Sequence, residues 1–357
     1  MPEAARLAAT VIAAGLIAWL GTGALIPLLR RAAVLDRPNE RSLHLLPVPR
    51  GGGLAVVAAI VAAWLWLIGA GVLMPAVLAV LLGALLLAAV SWVDDRRGLP
   101  PALRLAVQFA AVALVLGVLI ALGVPLLPWR LPVWVAAPAV ALLWMWFVNL
   151  FNFMDGIDGL AGSEAAAIGI GLALFGSIGI GHDPALAAAA AAIAAAALGF
   201  LWWNWAPAKI FLGDVGSVPL GYLLGFALLS AVADRHWKIA LILPLYFLAD
   251  ATITLLRRLL RGERVWQPHR RHFYQQAVTR GLSHAAVVRR VILADVLLVA
   301  LGWASENGAG LAALAAAAAT VLVLLLSLAG SLPRYRAEPI PAANPHASTP
   351  QAEEPPS

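Results

Sequence analysis

Along this chain, long apolar runs alternate with short polar interruptions. Windows of about 20 residues, long enough to cross a hydrocarbon layer as helix, fall at 6–29, 51–69, 72–93, 104–125, 132–149, 159–181, 184–204, 216–235, 238–256, 286–306 and 309–332. The pattern predicts an all-α, polytopic membrane bundle of about eleven transmembrane helices, in one domain over 1–333. After Leu332 the sequence turns to Pro, Ala, Ser and Glu, a composition that cannot bury enough apolar surface to order itself, so 334–357 is expected to be a disordered tail.

The basic residues refine this picture. Of the 24 Lys and Arg, twenty lie in the alternate connections 30–50, 94–104, 205–215, 257–290 and the tail. The opposite set holds only Arg6, Arg130, Arg235 and Lys238. Short basic loops stay on the cytoplasmic side, so the N-terminus is expected outside and the C-terminus inside. Arg30 and Arg31 follow the first apolar run rather than precede it, the reverse of a signal peptide, so the run reads as a retained span.

Composition agrees with a membrane protein and excludes a water-soluble domain: 62% of residues are hydrophobic, 12% are charged, and the mean hydropathy is +0.90. The net charge of +6 sits mostly in the cytoplasmic loops, where it suits an anionic leaflet and not a nucleic acid. With no cysteine, disulfides, thiolate nucleophiles and Cys-based metal sites are out of reach.

Polar side chains concentrate at the ends of these windows. In the stretch "NLFNFMDGIDGLAG", Asn149, Asn152, Asp155 and Asp158 recur every third residue and stay on one side of a helix or tight turn. Carboxylates at a helix C-terminus oppose its dipole. With no Lys or Arg in 150–158, a bound metal is a natural counter-charge; a capped turn accounts for one or two of the four. Asp94 and Asp95 close the third window as an adjacent pair, whose double ionisation needs a nearby cation. Arg96 and Arg97 would serve a merely structural helix end.

In "KIFLGDVGSVPLG", Asp214 lies between glycines and Ser217 precedes Pro219. Ser217 reads as a helix start, with Asp214 either favouring the positive helix end or serving as a Mg²⁺ ligand beside a phosphate-receiving N-terminus. Arg50 stands before three glycines whose amides can approach an anion or simply give a flexible helix entry. The longest loop carries His269, Arg270, Arg271 and His272 in a row. Arg and His recognise phosphoryl oxygens, whereas a basic loop as such merely touches lipid.

Taken together, "PVPRGGG", "VDD", "NLFNFMDGIDGLAG", "FLGDVGS" and "PHRRHFYQ", in this order over roughly 40–280, resemble the polyprenyl-phosphate N-acetylhexosamine-1-phosphate transferases of glycosyltransferase family 4. The group includes the undecaprenyl-phosphate N-acetylglucosamine-1-phosphate transferases and the phospho-N-acetylmuramoyl-pentapeptide translocase. The resemblance implies a Mg²⁺-dependent enzyme, with Mn²⁺ as a substitute, of the bacterial cytoplasmic membrane. Its site would lie on the cytoplasmic face. Undecaprenyl phosphate would attack the β-phosphorus of a UDP-N-acetylhexosamine and release UMP, at the start of a lipopolysaccharide O-antigen or wall glycan.

By position, Asp94 and Asp95 match the family's aspartate pair, and Asp155 and Asp158 its DGxDG carboxylates. Asn152 and Asp214 match metal-binding positions, and His269 to His272 the sugar-recognition loop; Arg50 and Asn149 join them as candidate substrate contacts. The loop lacks the triple histidine of the muramoyl-pentapeptide branch, and "PHRRHFYQ" looks closer to enzymes that start surface polysaccharides, some of which use 6-deoxy amino sugars. A homodimer is compatible with all of this. The rival reading is a proton-coupled transporter, motivated by Asp250 and Asp295 inside apolar windows.

Overall fold

The computed structural model describes residues 3–36, 47–129, 131–178, 182–265, 267 and 269–330. The expected tail, 334–357, lies outside them, as does the 41–46 part of the loop leading to Arg50. Each apolar window holds helix: α1 (Glu3–Arg31), α2 (Gly53–Gly69), α3 (Val77–Arg97), α4 (Pro101–Ala121), α5 (Val133–Phe153), α6 (Leu160–Ser177), α7 (Pro184–Asn204) and α8 (Asp214–Ala233). The ninth window is divided. It comprises α9 (Trp237–Ile242) and α10 (Leu245–Leu260), on either side of Pro244, which has no amide to continue the ladder.

Inside the longest loop lies a further short helix, α11 (Phe273–Thr279), before α12 (His284–Ala304) and α13 (Gly310–Leu328). A wide turn at Ser305–Ala309 joins the last two, with non-helical backbone at Asn307 and Gly308. Among the described residues, eight stretches are helical, long and apolar enough to cross a membrane, α12–α13 counting as one of 45 residues. The protein is therefore an all-α, multi-pass membrane protein. Among the described residues, strand structure is confined to β1 (Leu35–Asp36) and β2 (Val48–Pro49), an antiparallel pair, with an isolated bridge between Arg50 and Phe211.

The packing that matters for the site gathers around α8, which is apolar all round and largely buried. Trp144 of α5 stacks on Tyr222 of α8, centroids 4.8 Å apart, and donates Nε1–H to the Tyr222 carbonyl at 2.9 Å. The Tyr222 hydroxyl in turn donates to the Ala111 carbonyl of α4. At the start of α8, Gly216 lies directly against Gly53 of α2, and a Cβ on either would run into the other's backbone. Side chains as small as hydrogen let two helix starts meet.

Candidate functional site

The approach of α2 to α8 places Arg50. Phe211 donates its amide to the Pro49 carbonyl, Gly51 and Gly52 donate to the Phe211 carbonyl, and Gly53 donates to that of Leu212. The triple-glycine amides are therefore committed to protein carbonyls and do not face an anion, which corrects one expectation. What they achieve is to hold Arg50 beside Gly213, whose φ of 75° is a left-handed conformation that glycine adopts without strain.

A second correction follows at α8. The helix begins at Asp214 with Gly213 as its cap, so Ser217 is not the helix start. The Ser217 hydroxyl lies one turn in, where it donates to Asn152 Oδ1 at 2.5 Å.

Asp95, in the last turn of α3, accepts the amides of Asp214 and Val215 at 3.2 and 3.0 Å, a carboxylate set on the positive end of α8. Arg50 Nη2 lies 2.6 Å from Asp95 Oδ1 and 2.7 Å from Asp214 Oδ1, so those two oxygens are no more than about 5.3 Å apart. The Asp95 side chain is 2% exposed and that of Asp214 19%: the second is the one open to a ligand.

Asp94 turns the other way. It accepts the Leu99 amide at 2.6 Å and pairs with Arg104 Nη1 at 2.9 Å, and the same nitrogen lies 3.8 Å from Asp214 Oδ2. Its cation is Arg104, not the neighbouring Arg96 or Arg97, because the turn between α3 and α4 folds the chain back. Sequence reasoning passed over Arg104; the signal was its place in the first turn of the next helix.

The third-residue row divides as α5 ends at Phe153. Asn149 Nδ2 donates to Gln108 Oε1 at 2.7 Å and to the Met145 carbonyl at 2.8 Å, tying α5 to α4. Asp155, in the turn, interacts electrostatically with Arg50, Asp214, Asp95 and Asp158. Burial pushes its carboxyl well above the ordinary range, and the three acidic neighbours push the same way against Arg50. Arg50 is held above its own ordinary value: burial works against the charge, but Asp214 and then Asp95 outweigh it. Asp158 is occupied elsewhere, its Oδ2 accepting the Ala208 amide at 3.1 Å and its Oδ1 standing 3.3 Å from His284 Nδ1.

The basic loop has its own bracing. Arg258 is buried and braces the loop through Glu263 and the carbonyls of Arg264, Val265 and Gln267; Arg271 pairs with the same glutamate. Arg270 is half-buried. His269 and His272 lie with ring centroids 4.9 Å apart. Burial, then the neighbouring His272 and the cations Arg258 and Arg271, pushes the His269 imidazole down to about 4. Its Nδ1 accepts the Arg271 amide, a bond open only to the unprotonated nitrogen. In the first turn of α11, the Tyr274 hydroxyl donates to the Phe153 carbonyl at 2.9 Å, fastening the loop to the turn that bears Asp155.

Asp250 and Asp295, carboxylates that lie inside apolar windows of the sequence, separate. Asp250 is bonded to α11. Asp295 is buried beside Glu164 of α6, a residue the sequence reading did not single out.

Chemically, oxygen donors from Asp95, Asp155, Asp214 and Asn152 suit a hard divalent cation. Among the described residues no group of three or more Asp, Glu or His side chains is placed to hold a metal ion by itself. An open seat of one or two carboxylates, completed by phosphate and water, is the manner in which Mg²⁺ is bound, and the surplus of acidic over basic groups around Asp155 leaves room for its charge.

Residues 77–232 match the family described as glycosyl transferase family 4. The chain is 27% identical over 297 residues to the probable undecaprenyl-phosphate N-acetylglucosaminyl 1-phosphate transferase of Bacillus subtilis, across 79% of this chain and 81% of that protein. To the decaprenyl-phosphate N-acetylglucosaminephosphotransferase of Mycobacterium tuberculosis it is 29% identical over 344 residues, 84% and 82% of the two chains. To the undecaprenyl-phosphate alpha-N-acetylglucosaminyl 1-phosphate transferase of Escherichia coli it is 28% identical over 303 residues, 78% of each.

Proposed function

We propose that the chain is a member of glycosyl transferase family 4 and, within it, a Mg²⁺-dependent phosphoglycosyltransferase of the bacterial cytoplasmic membrane. It transfers an N-acetylhexosamine-1-phosphate from a UDP-sugar to undecaprenyl phosphate at the cytoplasmic face, releases UMP, and begins a cell-surface polysaccharide. The loop charges support the sidedness. The relatives' names make UDP-N-acetylglucosamine the first donor to try.

One observation carries the reading. Arg50 bridges Asp95 and Asp214, residues from three separate elements, at the rim where α2 and α8 begin and α3 ends. Phosphoryl transfer asks a protein mainly for positioning and charge neutralisation. An oxygen of the lipid phosphate attacks the β-phosphorus, the bond from that phosphorus to the bridging oxygen breaks, and UMP leaves with that oxygen.

Asp214, with Asp95 or Asp155 and the Asn152 oxygen, would hold Mg²⁺, which supplies charge neutralisation on the diphosphate. Arg50 and Arg104 add positive charge beside it, and the His269–His272 loop meets the sugar. Asp158 and Asn149 brace the turn. A polyprenyl phosphate keeps its tail in hydrocarbon and its head at the interface, which a site at helix ends on one face accommodates.

The test is conversion of labelled UDP-sugar to a butanol-extractable product by membranes expressing the chain, with UDP-N-acetylglucosamine and 6-deoxy amino-sugar donors compared. Chelation abolishes the product, Mg²⁺ restores it, and Asp214→Ala removes it. A chain that makes no lipid-linked product from any such donor is not this enzyme.

The transporter reading loses part of its motive, since Asp250 is bonded on every side to α10 and α11.

A further inference from the structure

Asp250 is an expensive residue. It lies in α10 with 0% exposure, and a buried carboxylate persists only where donors surround it. Five do. Oδ1 accepts the Phe273 amide at 3.0 Å and the Thr254 hydroxyl at 3.3 Å, and stands 3.1 Å from His272 Nδ1. Oδ2 accepts the Tyr274 amide at 3.3 Å and the Tyr246 hydroxyl at 3.4 Å.

Three of these donors belong to the sugar-facing loop, and each constrains something different. Since Asp250 is already the acceptor for two backbone amides, the proton in the imidazole contact is carried by His272 Nδ1. That fixes the tautomer and leaves Nε2 as the nitrogen available to a ligand. The amide bonds to Phe273 and Tyr274 set the start of α11. The Tyr274 ring, stacked on His272 with centroids 5.7 Å apart, then carries its hydroxyl to the Phe153 carbonyl, two residues before Asp155.

We propose that Asp250 is a positioning residue for donor recognition: it turns His272 Nδ1 inward, presents Nε2 as an acceptor to a hydroxyl or amide N–H of the donor sugar, and registers α11 against the Asp155 turn. The inference rests on the transferase reading above. A carboxylate that merely stapled α10 to α11 would need no imidazole among its partners. Here the histidine that opens α11 is the one held, as ligand-orienting carboxylates hold imidazoles elsewhere.

The experiment uses the purified full-length protein in detergent with Asp250→Asn, His272→Ala and the double variant. Asparagine keeps the shape but loses one acceptor. Asp250→Asn is expected to raise KM for the nucleotide sugar about 10- to 100-fold while KM for undecaprenyl phosphate stays within about twofold, and to add nothing further in the His272→Ala background. A purely structural role lowers kcat through loss of folded protein, leaves both KM values alone and combines additively with His272→Ala; that result overturns the proposal.

A second readout needs no turnover. In protein labelled with ¹⁵N at its seven histidines, the His272 signals, assigned by their loss in His272→Ala, are those of an Nδ1-protonated ring in the wild type and move in Asp250→Asn. An Nε2–H tautomer in the wild type overturns the assignment whatever the kinetics. If the wild type turns over no UDP-sugar, the transferase reading fails and the donor role fails with it, while the ring signals still report whether Asp250 sets the tautomer.

Discussion

The Ser217 hydroxyl donates to Asn152 Oδ1 at 2.5 Å, joining α8 to α5 across 65 residues of sequence. The bond aims the Asn152 oxygen, one of the donors proposed for Mg²⁺, from outside the ligand set. Ser217→Ala is expected to lower kcat/KM about tenfold and to raise the Mg²⁺ concentration needed for half-maximal activity, while Ser217→Thr keeps most of both. Activity titrated against Mg²⁺ for the three proteins decides it.

Arg50 answers two carboxylates with one nitrogen. Arg50→Ala leaves them unbalanced and removes a positive charge from the diphosphate, so kcat is expected to fall on the order of 100-fold. Arg50→Lys recovers only part, since an ammonium lacks the guanidinium's fork. Steady-state kinetics at saturating Mg²⁺ measure both.

Asp155 and Asp158 look equivalent in the sequence but have different partners. Asp155 faces Arg50, Asp95 and Asp214 through its field, whereas Asp158 is held by the Ala208 amide and His284. Asp155→Asn is expected to cost on the order of 100-fold in kcat. Asp158→Asn is expected to cost about 1–3 kcal/mol of stability and to be milder in kcat per folded molecule. Thermal unfolding in detergent beside initial rates separates the two.

The contact of Gly53 with Gly216 leaves no space for a methyl group. Gly216→Ala is expected to destabilise the protein by about 1–3 kcal/mol and to inactivate it by parting Arg50 from Asp214. A variant with unchanged melting and full activity would show that the two helix starts do not need to touch.

His269, pushed down to about 4 from an ordinary 6.5, is neutral throughout the physiological range. A histidine with a lowered folded value resists protonation that the unfolded chain accepts. Its contribution to stability is therefore complete above pH 6.5 and is lost as pH falls towards 4. His269→Asn is expected to flatten the fall in melting temperature across that window. Melting curves of both proteins from pH 7 to 4 measure the difference.

Much of the architecture was already legible in the residues. Apolar run length is a local property, because each helix must satisfy its backbone within itself before it can enter lipid, so the all-α class could be read without knowing any partner. The same holds for the polar positions at window ends, which marked Asp94, Asp95, Asp155, Asp158 and Asp214 before their neighbours were known. Short-range departures had their own signal, as at Pro244, where the ninth window divides.

Pairing was not legible, because it joins residues far apart in the chain and leaves no period or composition behind. Arg50 meets Asp214 across 164 residues, the triple glycine spends its amides on the 211–212 backbone, and Asp94 finds Arg104 only because a turn reverses the chain. Whether Asp250 stood in a transport path or held a histidine depended on α11, a helix of seven residues too short to declare itself in a basic loop. Sequence alone determined which side chains could carry charge at the membrane rim; the tertiary structure decided which of them face one another, since electrostatic interaction depends on distance through space and not along the chain.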